Sequence, residues 1–152
     1  MVIIAQYGLL IVLSVFLVFH FLVFLKLIPY KVVWGGRLKS DTEMYRFEIV
    51  SILMNLLFLL ITLARSGFLK VGFSKETLTT MLWIMTALFA FNTLGNVISK
   101  NKIEQRLFAP IAIILTLFSL ILVLTNWFGK QMPRSLRNES GRGKIPLPQT
   151  WK

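Results

Sequence analysis

The sequence predicts an all-α protein, a four-helix transmembrane bundle followed by a flexible basic tail, and three observations carry that expectation. Of 152 residues, 56% are hydrophobic and the mean hydropathy is +0.74, beyond the balance of a water-soluble domain of this length. The apolar residues gather in four runs, each long enough to cross a hydrocarbon core about 30 Å thick. The 17 Lys and Arg and the 6 Asp and Glu, net +11, lie almost wholly between those runs or after the last one. Runs this continuous are helices rather than barrel strands, because in lipid every backbone polar group must be satisfied within its own segment.

The first span is expected over about 6–28, from Gln6-Tyr7-Gly8 through Leu, Ile, Val and Phe to Lys26 and Pro29. No Lys or Arg precedes it and Lys26-Leu27-Ile28-Pro29-Tyr30 follows, the reverse of a cleaved signal peptide, so it is expected to stay in the mature protein. The second, about 47–64, opens with Glu48 and closes at Arg65-Ser66-Gly67; the third, about 78–98, opens after Ser74-Lys75-Glu76-Thr77. The fourth, about 107–128, follows Arg106 and ends with Trp127 placed as an interfacial anchor. Before it, Ser99 or Asn101 can cap the helix, Glu104 suits its positive end, and Pro110 is expected in its first turn. Residues 1–129 thus read as one transmembrane domain. Residues 130–152 hold Gly, Pro, Ser, Arg and Lys with almost nothing to bury, and read as a flexible basic tail. There is no internal repeat of fixed period.

Composition also excludes. Without Cys there are no disulfides, thiolate nucleophiles or iron–sulfur clusters, and with one His a protein-only transition-metal site is not expected. No cofactor is expected. The basic excess has no soluble domain to present it to nucleic acid and is read as helix-flanking charge that meets anionic lipid. Membrane lipids are therefore the expected partners, with a homo-oligomer, a larger membrane complex and a small-molecule ligand left open. Eight basic residues flank one face and nine the other, so the positive-inside rule fixes no orientation. Gly8 and Gly95 are candidates for close helix approach.

A polar side chain inside a membrane helix needs a partner in the bundle or a wet cavity. Counting about 1.5 Å per residue from the face of the first and third loops, His20 and Asn55 lie about 12 Å deep, Asn92 about 9 Å and Thr116 about 13 Å. All four helices thus offer a polar group at nearly one level. Asn92, Asn96 and Ser99 repeat at helical spacing, and Ser51 and Glu48 approach the same mouth from the second helix. The opposite half shows only scattered Ser and Thr. Two readings stay open: interhelical locks worth about 1 kcal/mol or less each, or a one-sided pocket lined by His20, Glu48, Asn55, Asn92 and Asn96. By this count no acidic residue lies at the depth of His20, so a proton relay is not expected.

The loop over that mouth, Pro29-Tyr30-Lys31-Val32-Val33-Trp34-Gly35-Gly36-Arg37, joins a rigid turn and a large aromatic to two free glycines and a fork-shaped donor suited to carboxylate or phosphate. Trp34, Gly35, Gly36 and Arg37 are candidate ligand residues, and a plain interfacial turn with a Trp anchor explains them as well. From the third loop Ser99, Glu104 and Arg106 join the candidate set, and Glu48 and Glu104 are expected to form ion pairs with Arg37, Arg46 and Arg106. No catalytic residue is assigned.

Two patterns resemble a functionally uncharacterised family of small four-span bacterial integral membrane proteins. One is the Pro-aromatic and Gly-Gly-basic loop, here Pro29, Tyr30, Gly35, Gly36 and Arg37. The other is the Asn-rich end of the third helix leading to Ser-basic, Glu and Pro, here Asn92, Asn96, Ser99, Lys100, Glu104, Arg106, Phe108 and Pro110. The resemblance covers most of residues 15–125 and implies a shared fold and site in a multi-pass bacterial cytoplasmic-membrane protein, without an activity. The chain departs from it at Lys31-Val32-Val33, where similar proteins carry Gly and an acidic residue.

Three functions compete. The first is binding or transport of a small solute or lipid-like ligand through the polar vestibule. The second is an accessory or scaffold subunit of a membrane complex with a docking tail. The third is a small membrane enzyme acting on a lipophilic substrate, which ranks last because Glu48, Glu104 and His20 fall at different depths.

Overall fold

The computed structural model describes residues 1–30, Trp34 and 38–131, the last six of these by backbone alone. It is all-helical: α1 (Val2–Phe24), α2 (Asp41–Arg65), α3 (Lys75–Val97), a π-helical turn (Glu104–Phe108) and α4 (Ala109–Gln131). The turn runs directly into α4, so four helical rods result, each long and apolar enough to cross a membrane. From residue 132 onward the expected tail lies outside the described residues, as do Gly35, Gly36 and Arg37.

The helix ends follow backbone hydrogen bonding rather than hydropathy. α1 stops at Phe24 because Lys26 takes a left-handed conformation, φ 59°, and the chain folds back: Lys26 N–H donates to the Val23 carbonyl and Leu27 N–H to the Leu22 carbonyl. α2 closes in the same way at Gly67, φ 79°, whose missing Cβ removes the penalty that Lys26 bears. α2 begins at Asp41, well before the apolar run, since Ser40 Oγ accepts from Glu43 N–H at 3.2 Å and the Glu43 carboxylate accepts from Lys39 N–H at 2.8 Å. Ser40 and Glu43 stand in the spacing of a capping box, a start signal that hydropathy ignores. α3 is capped by Ser74 Oγ, which accepts from Thr77 N–H at 3.1 Å. Across the first loop Lys26 Nζ meets the Asp41 carboxylate at 2.5 Å, and that bond holds Lys26 above the usual lysine range.

The start of the fourth rod corrects one expectation. Asn101 caps it, its Oδ1 accepting from Ile103 N–H at 2.8 Å and its carbonyl from Gln105 N–H at 3.1 Å. Helix therefore begins at Lys102, and Pro110 lies well inside rather than in the first turn. A proline there lacks a donor and its ring collides with the preceding turn. The chain absorbs it by widening: Ala109 N–H donates to the Glu104 carbonyl, five residues back, which closes the π turn.

Packing follows stripes at three- and four-residue spacing. On α1, Ala5, Leu9, Leu13 and Val23 are buried, while Ile4, Ile11, Val15 and Val18 on the other side remain largely exposed. An outer surface built of such residues suits hydrocarbon and not water. α1 packs against α2 and α4, and α3 against α4, while α2 and α3 pack least among the neighbouring pairs. A dry core fills the half near the second loop, where Leu9, Leu82, Met85, Leu122 and Val123 are fully buried. Gly8 lets α1 come close to α4, since a Cβ there would fall 2.2 Å from the Phe118 ring. Gly95 has no such role: a Cβ on it would meet nothing within 4 Å.

Candidate ligand cavity

The inward stripes change character along the rods. On α3, Leu82, Met85 and Phe89 continue at the same spacing into Asn92 and Asn96; on α1, Leu9 and Leu13 continue into Phe16 and His20. Beyond the dry core the four rods therefore bring polar groups and large rings together, and they enclose a cavity of about 300 Å³. Its walls are Leu13, Phe16, Phe19 and His20 from α1, Ser51, Met54, Asn55 and Phe58 from α2, and Phe89, Asn92, Gly95 and Asn96 from α3. Glu104, Phe108, Ala112 and Leu115 complete them from the π turn and α4, with Trp34 from the first loop. Asn92 both lines the cavity and is exposed, so the cavity opens to the exterior beside α3.

The polar groups fall into three arrangements. Asn55, 7% exposed, donates through Nδ2 to the Leu13 carbonyl at 2.9 Å and ties α2 to α1. Glu104, also buried, accepts from Ser99 Oγ, which holds the π turn to the end of α3. The third arrangement is the strongest: Glu48, with 0% exposure, has Oε2 2.7 Å from His20 Nδ1 and accepts from Trp34 Nε1–H at 2.9 Å on Oε1. A buried carboxyl group is tolerated only with such partners. Trp34 is itself held at φ 57°, a backbone state that costs a bulky residue roughly 1–3 kcal/mol, with its ring 5.0 Å from that of Phe47.

The His20–Glu48 bond overturns the expectation that His20 has no acidic neighbour. Because α1 ends at Phe24 and α2 begins at Asp41, His20 lies only about 6 Å from its helix end and Glu48 about 10 Å from its own. That offset is within the reach of the two side chains.

Among the sequence candidates, His20, Trp34, Asn55, Asn92, Asn96 and Glu104 line one cavity. Glu48 stands directly behind His20 and Trp34, and Ser99 behind Glu104. Arg106 is exposed and takes no part in the lining. Gly35, Gly36 and Arg37 lie outside the described residues. Thr116 turns elsewhere, donating to the Ala112 carbonyl at 2.8 Å and meeting Thr93 Oγ1 at 3.1 Å. Among the described residues Arg46 and Arg106 form no ion pair, in contrast to the cross-loop pairs expected of them. Sequence reasoning missed the rings of Phe16, Phe19, Phe58, Phe89 and Phe108, which make the cavity more apolar than a vestibule of amides. The signal was present, since Phe16 and Phe19 stand four and one residues before His20 and Phe89 three before Asn92.

Comparison of the chain with protein-family models, with curated proteins and with solved structures finds no match.

Proposed function

We propose that this chain is an integral membrane protein that binds a small amphiphilic molecule in the cavity between its four helices. The carrying observation is the composition of that cavity: at about 300 Å³ it is large enough for a small ligand, and α1, α2, α3 and the π turn each contribute to it both apolar and polar side chains, while α4 adds Ala112 and Leu115. Several rings offer a ligand body its contacts, and His20, Asn55, Asn92, Asn96 and Glu104 offer few, placed polar groups that orient a head. The opening beside α3, on the rod that packs least against its neighbour α2, suits a molecule that arrives from the lipid. On the motif resemblance, the host membrane is the bacterial cytoplasmic membrane.

The test uses Gly95, which lines the cavity and has open space before it. Gly95→Leu sets an isobutyl group at the exposed rim of the cavity, where it obstructs entry, and improves helix propensity by roughly 1 kcal/mol, so the variant is expected to fold at least as stably as the parent. Native mass spectrometry of gently solubilised protein should show a retained small molecule or lipid on the parent and none on Gly95→Leu. Equal retention by both would remove the cavity as the binding site.

A further inference from the structure

The His20–Glu48–Trp34 arrangement defines what the head of that ligand must be. Glu48 is fully buried and sits behind the cavity wall, so it does not meet a ligand itself. Its Oε1 accepts from the Trp34 indole, a group that is a donor only. With Glu48 ionised, Oε2 accepts as well, and a neutral imidazole then carries its proton on Nδ1, facing Oε2 at 2.7 Å. The lone pair of the ring is then on Nε2. No hydrogen bond to Nε2 comes from any described residue, and the side chain keeps 18% exposure on the wall of the cavity. The buried carboxylate also makes that lone pair a better acceptor, as it does for histidines that bind metals. Phe16 and Phe19 flank the ring at centroid distances of 6.3 and 5.8 Å and leave an apolar surround for whatever reaches it.

We infer that His20 Nε2 is the polar anchor of the site and accepts a hydrogen bond from the ligand, whose class is therefore a lipophilic hydroxy compound, a phenol or alcohol on an apolar body. This rests on the cavity binding proposed above. In an apolar surround such a bond discriminates well, because a ligand without the donor leaves Nε2 desolvated and unpaired.

The experiment measures dissociation constants by calorimetry in detergent for three probes of one shape: 4-butylphenol, 4-butyltoluene and 4-butylbenzoate. The phenol is expected to bind the parent protein about tenfold more tightly than the toluene, the equivalent of about 1.4 kcal/mol, and Gly95→Leu should bind neither. His20→Phe should lose the tenfold preference and keep the affinity for 4-butyltoluene. Since that change strands Glu48, the double variant His20→Phe with Glu48→Met, which removes both partners, serves as the second test and should give the same loss. Glu48→Gln should weaken the phenol and not the toluene. Equal binding of phenol and toluene to the parent overturns the anchor while leaving the cavity as a binding site. Preference for the benzoate overturns it too, since it would mark a charged imidazolium as the donor. Binding of no probe, with the parent and Gly95→Leu alike, overturns the anchor and the cavity reading together.

Discussion

Asn55 and Thr116 were expected at the same level, yet only one of them faces the cavity, and the difference is one of hydrogen-bonding reach. A hydroxyl on a helix can donate to the carbonyl a turn back on its own rod, as Thr62, Thr86, Thr93, Thr116 and Thr125 all do at 2.7–2.8 Å. Such a residue is satisfied on its own rod and does not need a neighbour, although Thr93 and Thr116 also meet across α3 and α4. Asn, His and Glu carry larger groups whose bonding capacity reaches beyond their own turn, so in lipid they seek another rod or a hollow. This is why Thr62, Thr86 and Thr125, away from the cavity, gather no site. Replacing Asn55 by Leu removes its bond to Leu13 and should lower stability by about 1 kcal/mol; steric-trap or denaturant unfolding in detergent checks it. A loss of several kcal/mol would mean that Asn55 holds more than one interhelical bond.

The two rods that open the molecule show how elements position the site. α1 carries the dry stripe Ala5, Leu9 and Leu13 and then His20, so its close contact with α4 at Gly8 fixes where the imidazole points. Gly8→Ala forces a methyl group to within 2.2 Å of the Phe118 ring and should cost about 1–3 kcal/mol. Phe118→Leu in the same chain should recover most of that loss, and the two changes should be non-additive in a double-mutant cycle. Additive losses would place the strain elsewhere. At the other end of α4 the π turn performs a second positioning task. It accommodates Pro110 and carries Glu104 and Phe108, four residues apart and so on one face, into the cavity wall.

For the whole molecule, four helices long and apolar enough to cross a membrane would, if each crosses once, put the first and third loops on one side and the second on the other. The native chain contains no Cys, so single cysteines report location without background. A cysteine at Lys39 and one at Lys102 should react with an impermeant maleimide from the same side of sealed vesicles, and one at Lys70 only from the opposite side. Labelling of all three from one side would exclude the four-span arrangement. The even spread of basic residues leaves the sign of the orientation to the same measurement.

The helix count and the apolar character of each rod were legible in the residues, because hydropathy over a span depends only on local order, whereas rods that are apolar all round do not show which face turns inward. So was the polar end of α3, since Asn92 and Asn96 simply extend the stripe of Leu82, Met85 and Phe89, whereas the depth count misplaced His20 and gave Thr116 to the same level. The start of α2 was written there too, in Ser40 and Glu43, although a search for apolar runs passes over it. Which side chains meet was decided only in three dimensions. The bond between His20 and Glu48 depends on where each rod stops and how far one slides along the other, and those offsets go with the left-handed Lys26, the Ser40 cap and the Asn55 bond to Leu13 that ties α2 to α1. A shift of one turn, about 5.4 Å, would leave every local pattern intact and separate the imidazole from its carboxylate, which is why no reading of one segment at a time finds the pair.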